Sequence, residues 1–263
     1  MLSKRILLVV LSLFCFHALA DSTKVRVVTE VTVPLQYLED GEVQGIATNI
    51  VRELFARTPL TPDIQLLPWA RAYSEALAHP NLPIFSIAKT RLREPYFHWV
   101  GPIMPHTWAI FRQKSRADIH VNEFADLAKY SIGVVNGDVT HDYLSSKGLK
   151  NFPEGNLSTV ASQPLNYRKL FAGRVDLIAM GSLSCVTDKI DCAQFERVWT
   201  LDELPSGLYL ALRKDSDAEL VKTLNSALDS MKKDGVLTKL QTPIFLLHKK
   251  NNPGSGGSAD RGT

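Results

Sequence analysis

Residues 163–180, QPLNYRKLFAGRVDLIAM, contain one complete helix-to-strand unit. Gln163–Ala172 has the spacing of a helix, Gly173 is a suitable left-handed stop, and Val175–Met180 is an apolar run typical of a buried strand. A helix that leads directly into a buried strand is the repeating unit of sheets covered by helices. This stretch therefore predicts an α/β fold.

The same alternation extends towards the N-terminus. Apolar residues recur at helical spacing between Ile46 and Phe55, and a second helix is expected over Trp69–Ala78. The predicted strands of this half are Val25–Thr29, Ile64–Leu67, Ile84–Ala88 and Trp108–Arg112. Strands that alternate with helices predict mostly parallel sheets.

After a polar connector the pattern starts again. Its predicted elements are a helix over Asn122–Lys129, a strand over Ser131–Val135, a helix from Gly137 through Tyr143, and strands over Phe195–Leu201 and Leu208–Leu212. A last helix is expected over Asp217–Lys233, with Ser216 and Glu219 as a capping box. Two α/β runs predict two lobes, and a cleft between them is the expected ligand site.

The first twenty residues have the features of a secretory signal peptide. Lys4 and Arg5 are followed by the apolar run Ile6–Phe16 and by the small residues of Ala18-Leu19-Ala20. We expect residues 1–20 to be cleaved and the mature protein to be periplasmic, an uncleaved anchor being the alternative. Residues 251–263, rich in Gly, Ser and Asn, are expected to form a flexible tail.

Charge and motifs favour binding of a small molecule. The formal net charge of the chain is +3, and cleavage would remove Lys4 and Arg5, leaving a nearly neutral protein without basic runs. This argues against nucleic acid as a partner. The sequence has no nucleotide-binding, hydrolase or zinc-protease motif, and it predicts neither a metal site nor a cofactor.

Two cysteines remain after cleavage, Cys185 and Cys192. In an oxidising compartment a disulfide between them is expected, and closing so short a loop would stabilise the fold by about 2–3 kcal/mol. Two free thiols are the alternative.

Several stretches together resemble a known family. The stretches are Pro34–Tyr37, Asp40–Gly45, Thr90-Arg91-Leu92-Arg93-Glu94 with Phe97 and Gly101-Pro102, Leu170–Asp176, Ser206–Lys214 and Leu228–Leu240. In this order they resemble the type 3 extracellular solute-binding proteins, which are the amino-acid-binding proteins of bacterial ABC transporters. The resemblance covers nearly the whole mature chain.

The resemblance implies a type II periplasmic-binding-protein fold. The first lobe would comprise residues 21–110 and 208–250, the second lobe residues 111–207, and the lobes would close around a ligand by hinge bending. The implied partners are a small solute and an ABC permease or a membrane sensor, with the protein acting as a monomer.

The resemblance also implies ligand contacts. Arg93 matches the arginine that grips a ligand carboxylate, for which a planar guanidinium is well suited. Ser86 and Thr90 would complete that pocket, or else cap turns. The loop at Gly137 matches one that offers backbone N–H groups to the carboxylate at a helix N-terminus.

Other candidates are aromatic or charged. Trp69 would cover the ligand side chain, or lie in the core, and Arg71 is a second possible anion contact. Tyr37 and Trp108 are weaker candidates that also suit the core or the hinge. Glu30, just after the first strand, faces either the cleft or the solvent.

One departure from the family concerns the ligand amino group. The family's acidic residue lies eight positions beyond the glycine that matches Gly173, and that position is Gly181 here. Either Asp138 or Glu30 substitutes for it, or the ligand is not an ordinary α-amino acid. Asp138 could equally cap its helix.

We therefore expect a protein without enzymatic activity that captures a small polar, carboxylate-bearing solute for an ABC transporter. The alternatives are a binding protein that signals to a membrane receptor, and a dehydratase-like enzyme on the same fold with Glu30, Asp138 or His141 as the acid.

Overall fold

The computed structural model describes residues 23–181 and 192–251. The predicted signal peptide, Cys185, the side chain of Cys192 and the tail beyond Asn251 lie outside the described residues, so the cleavage and the disulfide stay predictions. No helix within the described residues is long and apolar enough to cross a membrane.

The described chain alternates strands and helices along most of its length. The strands are β1 (Thr23–Thr29), β2 (Tyr37–Glu39), β3 (Glu42–Gln44), β4 (Leu60–Leu66), β5 (Ile84–Ala88), β6 (Phe97–Met104), β7 (Trp108–Gln113), β8 (Ile132–Val135), β9 (Leu157–Val160), β10 (Leu177–Gly181), β11 (Phe195–Thr200) and β12 (Leu208–Arg213). The helices are α1 (Ile46–Ala56), α2 (Trp69–Ala78), α3 (Val139–Ser146), α4 (Gln163–Phe171), α5 (Ala218–Lys233) and α6 (Val236–Asn251).

Ten of the described strands form two five-stranded sheets, one for each lobe, and β2 and β3 pair with each other. The first sheet has the order β4-β1-β5-β12-β6 and the second has the order β11-β7-β10-β8-β9. Helices α1 and α5 pack on the first sheet and on each other, α6 packs on α1 and α5, and α4 packs on the second sheet. The predicted two-lobed α/β fold is confirmed.

The prediction of mostly parallel sheets is wrong. In the first sheet β1 is parallel to β4 and β5, but β12 is antiparallel to both β5 and β6. In the second sheet β7 is antiparallel to β10 and β11, while β8 is parallel to β9 and β10. The antiparallel strands β7 and β12 are those that follow a crossing between the lobes.

The chain crosses between the lobes twice. The first crossing lies between Met104 and Trp108, earlier than the expected boundary at residue 110, because β7 pairs within the second sheet from Trp108 onward. The second crossing ends at Leu208, where β12 enters the first sheet. The two crossings are joined, since the N–H of Gly207 donates to the carbonyl of His106 at 3.0 Å.

Helix α1 fixes the loop that precedes it. Its buried face includes Ile50 and Phe55, and the N–H of Ala47 donates to the carbonyl of Leu35 at 2.9 Å. Gly45 has φ 124°, and a Cβ on it would lie 2.3 Å from the oxygen of Leu35. Only glycine permits this approach, which anchors Leu35 and its neighbour Gln36 beneath the helix.

Two local predictions need correction. The expected helix over Asn122–Lys129 is a 3₁₀ helix over Phe124–Lys129. The expected capping box of α5 is not formed, because the N-cap is Asp217, whose side chain accepts from the N–H groups of Glu219 and Leu220. Ser216 instead accepts through Oγ from the N–H of Asn81 at 3.0 Å.

Replacing the N-cap of α5 tests this assignment. Asp217→Ala leaves the two N–H groups without their side-chain acceptor and is expected to lower the free energy of unfolding by about 1 kcal/mol. Chemical denaturation followed by circular dichroism measures the loss. The matched control is Asp229→Ala, which removes an exposed carboxylate from the middle of α5 and should cost less than about 0.5 kcal/mol. Equal losses in the two variants would contradict the cap.

Candidate functional site

A small cavity lies between the lobes. The space in which the centre of a water-sized sphere can move is about 60 Å³. Residues from both lobes and from the first crossing line it: Glu30, Thr32, Leu35, Gln36, Trp69, Ser86, Ala88, Arg93, His106, Trp108, Val135, Asp138, Val139, Gln163, Met180, Gly181 and Leu208. A cavity of this size can hold no more than a small solute.

Strand ends and one bulge supply the wall of the first lobe. Glu30 directly follows β1. In β5 the register places Phe85 opposite Leu210 and Ile87 opposite Tyr209, so that Ser86 is an extra, bulged residue with φ 60°. Bulges redirect side chains, and the hydroxyl of Ser86 donates to Oε1 of Gln36 at 2.8 Å.

Arg93 is buried against two aromatic rings. Its side chain is 3% exposed, and its guanidinium carbon lies 5.0 Å from the ring centre of Trp69 and 5.1 Å from that of Tyr73. A guanidinium stacked on rings is held in place and gains a cation–π attraction. The two rings are themselves stacked, with centroids 5.7 Å apart.

Hydrogen bonds join the lobes across the cleft. Nε1 of Trp69 donates to the carbonyl of Gly137 at 2.6 Å, and Nη2 of Arg93 donates to the same carbonyl at 3.2 Å. Nη2 also donates to Oδ2 of Asp142 at 3.1 Å. One apolar cluster contains Trp69 of the first lobe together with Val135 and Val160 of the second. The structure is therefore that of the closed state.

The loop before α3 differs from the expectation for Gly137. Its N–H does not face a ligand but donates to Nδ1 of His141 at 2.9 Å, and the N–H of Asp138 donates to the carbonyl of Val135 at 3.1 Å. The first turn of α3 is capped by Asp138, which accepts from the N–H of His141 and from the hydroxyl of Thr140. The loop therefore presents the carbonyl oxygen of Gly137 and the carboxylate of Asp138 where N–H donors were predicted.

The cavity contains two carboxyl groups with shifted pKa values. Burial and the nearby charge of Asp138 raise the pKa of Glu30 to about 8, although Arg93 opposes the rise. Burial raises the pKa of Asp138 to about 6, although its bonds as the helix cap lower it. Burial also raises the pKa of Asp142, and Arg93 counteracts that shift.

The structure brings six of the ten predicted contacts to the cavity, namely Glu30, Trp69, Ser86, Arg93, Trp108 and Asp138. The other four are not among the described residues that line it. Arg71 points outward with its side chain 66% exposed and pairs with Glu75, and Thr90 accepts from the N–H of Arg93 in a turn. Tyr37 lies on β2, and Gly137 contributes its carbonyl to the contact between the lobes.

Several polar lining residues were not among the predicted ligand contacts. Gln163, the first residue of α4, is 8% exposed; Asn166 donates to its Oε1, while its Nε2 has no partner among the described residues. His106 lies in the first crossing and meets Trp108 edge to face, with ring centroids 4.8 Å apart. For Gln36, the one signal in the sequence was its place in the stretch Pro34-Leu35-Gln36-Tyr37, which resembles the family. Gly181, the position without the family's acid, also lines the cavity.

The described residues contain no group of three or more His, Cys, Asp or Glu that could hold a metal ion. An aromatic wall, a buried guanidinium and two carboxyl groups surround this one cavity.

Comparison with protein families gives one match over most of the chain. The model of the bacterial extracellular solute-binding proteins, family 3, matches residues 25–246. No curated protein sequence matches.

Solved structures share the fold at low sequence identity. A histidine kinase sensor domain with similarity to periplasmic binding proteins has a TM-score of 0.73 and 16% identity, over 85% of this chain and 96% of its own. The substrate-binding protein of an amino acid ABC transporter has a TM-score of 0.70 and 15% identity, over 82% and 96%. The ancestral amino-acid-binding protein AncCDT-1, a precursor of cyclohexadienyl dehydratase, has a TM-score of 0.68 and 20% identity, over 82% and 92%.

The bond from Trp69 to Gly137 can be tested by one substitution. Trp69→Phe keeps a ring beside Arg93 but removes the Nε1 donor, and a hydrogen bond of this kind contributes about 0.5–1.5 kcal/mol. We expect the ratio of closed to open protein to fall by about 2- to 12-fold, seen as a larger radius of gyration in small-angle X-ray scattering. The control is Trp99→Phe, whose Nε1 bonds to Glu94 within the first lobe. An unchanged radius for Trp69→Phe would contradict the role of this bond.

Proposed function

This chain belongs to the bacterial extracellular solute-binding proteins of family 3, and on that premise we propose that it captures a small polar solute in the periplasm and delivers it to an ABC permease. The observation that supports this function is the closed cavity. Both lobes line it, and Trp69 and Arg93 of the first lobe bond to Gly137 and Asp142 of the second. The closed form can report a bound solute to a permease only if the solute favours closing of the lobes.

Arg93 would bind an acidic group of the solute. A guanidinium has five N–H donors, and the two bonds across the cleft both use Nη2. These bonds leave the N–H donors of Nε and Nη1 unused, and a carboxylate oxygen of the solute would accept from one of them. The ring of Trp69 would cover the apolar part of the solute.

An amino group on the solute would pair with Asp138 or Glu30. The family's acidic position is occupied by Gly181, which lines the cavity without offering a carboxylate. Asp138 of the second lobe and Glu30 of the first lobe line the same cavity and supply negative charge there. The proposed solute is therefore an amino acid or a related compound with both groups.

Delivery to a membrane sensor is a variant of the same function, because a sensor would also recognise the closed lobes. The genes beside this one discriminate the two roles. Permease and ATPase genes would favour transport, whereas a gene for a membrane kinase or cyclase would favour sensing.

A catalytic role is the second candidate, and one observation favours it. Glu30, with its pKa raised to about 8, holds its proton at neutral pH beside the cavity, as a general acid must. Binding without turnover predicts that a bound solute is recovered chemically unchanged after long incubation, as measured by nuclear magnetic resonance. Appearance of a dehydrated product would establish the enzyme instead.

Arg93 provides the test of solute capture. A thermal-shift screen of amino acids, amines, organic acids and small peptides should give one compound class that raises the melting temperature. In calorimetry with that compound, Arg93→Ala should weaken binding at least about 30-fold, because truncating a buried charge partner costs about 2–5 kcal/mol. Arg71→Ala, which removes an exposed arginine, should leave binding unchanged.

A third variant separates contact with the solute from closing of the lobes. Asp142→Asn weakens the ion pair across the cleft but keeps the guanidinium. If Asp142→Asn reduces affinity as much as Arg93→Ala does, Arg93 acts as a latch and the proposed contact with a carboxylate is wrong.

A further inference from the structure

A buried amide lines the cavity from the second lobe and has an unused donor. Gln163 is the first residue of α4 and is 8% exposed. It lines the same cavity as Arg93, and its Nε2 has no hydrogen-bond partner among the described residues. Because native structures pair most of their buried polar atoms, this donor indicates a partner that comes from outside the protein.

The side chain of Asn166 fixes which end of the amide is used within the protein. Asn166 is fully buried in α4, and its Nδ2 donates to Oε1 of Gln163 at 3.2 Å. The other end of its side chain lies beside Gly133 of β8, where an added Cβ would come within 2.6 Å of Oδ1. The absence of a side chain at Gly133 thus makes room for Asn166. Gln163 is held by its oxygen and keeps Nε2 for the cavity.

The start of α4 favours an oxygen atom as the missing partner. The N-cap residue Ser162 makes no side-chain hydrogen bond to the helix. The positive end of the helix dipole, where Gln163 lies, is therefore not covered by its capping side chain, and negative partial charge is favourable there. An oxygen atom of a solute that accepts from Nε2 would supply this charge.

The charges around the cavity favour an acceptor without charge. Arg93 is the one Lys or Arg side chain among the described lining residues, and the carboxylate of the proposed solute would already use it. Glu30 and Asp138 add carboxyl groups to the same space. A second carboxylate on the solute would be buried without a cation of its own, which is costly. An amide carbonyl or a hydroxyl avoids this cost.

Apolar side chains make this donor selective. The second lobe also lines the cavity with Val135, Val139 and Met180, and with Gly181, which has no side chain. A hydrogen bond in apolar surroundings is strong, and a group that cannot form it leaves the donor unpaired. Gln163 can therefore separate a side chain that carries an oxygen from an apolar side chain of the same shape.

We propose that Gln163 determines the specificity of the cavity, by donating a hydrogen bond from Nε2 to an uncharged oxygen, an amide carbonyl or a hydroxyl, on the side chain of the solute. The inference rests on the proposed function of solute capture and narrows the solute to polar, uncharged amino acids and close relatives. Arg93 would hold the carboxylate that all amino acids share, whereas Gln163 would recognise the group in which they differ.

Matched probes measure this preference. Calorimetry compares asparagine with leucine, threonine with valine, and glutamine with homoleucine, pairs of similar shape that differ in the oxygen acceptor, and it compares asparagine with aspartate. The tightest-binding probe should carry an uncharged oxygen on its side chain. It should bind about 5- to 150-fold more tightly than its apolar partner, because that partner leaves Nε2 unpaired.

The outcomes separate this inference from solute capture itself. A tightest probe that is apolar or anionic overturns the inference and leaves capture intact. The same holds if the thermal-shift screen gives only ligands whose side chains lack an uncharged oxygen. A screen without any ligand contradicts the proposed function as well.

Two variants assign the preference to Gln163. Gln163→Met removes the donor at nearly unchanged length, and Gln163→Glu removes it but keeps an oxygen acceptor for Asn166. In both variants the affinity ratio between the polar and the apolar member of the best pair should fall to about one or below, while the apolar member still binds to Gln163→Met. The control Gln194→Met removes an exposed amide of the second lobe and should keep the wild-type ratio. A merely structural role of Gln163 would weaken both members alike, so an unchanged ratio overturns the inference.

Discussion

The carbonyl oxygen of Gly137 is the point on which the closed structure depends. It accepts one hydrogen bond from Trp69 and another from Arg93, both of which belong to the opposite lobe. The carbonyl can face the cleft because the N–H of the same residue is taken by His141 one helical turn later. The cap of α3, the orientation of its loop and the contact between the lobes are thus parts of one hydrogen-bonded unit, and a change in any of them alters the others.

This closed arrangement has an electrostatic cost that the apolar contacts must offset. Trp69 packs in one cluster with Val135 and Val160 across the cleft, and burial of that surface favours closing. The same burial removes water from Glu30 and Asp138 and raises the pKa of both. The proposed solute, with its amino group beside these two acids, would relieve this cost only in the closed state. Such a difference between states is what a ligand needs in order to shift a conformational equilibrium.

The sequence predicts local elements better than their directions. Periodicity located α2 and β5 with their observed bounds, because the apolar residues of each element reveal its period and its neighbours supply the stops. The antiparallel direction of β7 and β12 depends on where the chain crosses between lobes, which no local pattern records. In the site, Arg93 and Trp69 stand in recognisable motifs, whereas His106 and Gln163 come from separate elements without one. Gly137 was predicted to offer its N–H to a ligand. Its N–H donates to His141 instead, and its carbonyl accepts from the other lobe.

The position of the acid in the second lobe has a consequence for the helix beside it. In the family pattern the acid lies where β10 ends, and here that place is Gly181, while a carboxylate stands at Asp138 instead. At the end of a strand a carboxylate could serve the solute alone. As the N-cap of α3, Asp138 also accepts the N–H of His141, and a cap holds its helix more strongly when it is ionised. A solute amino group that keeps Asp138 ionised would therefore stabilise α3, its loop and the Gly137 carbonyl together, and would couple occupancy of the cavity to the bonds that close the lobes.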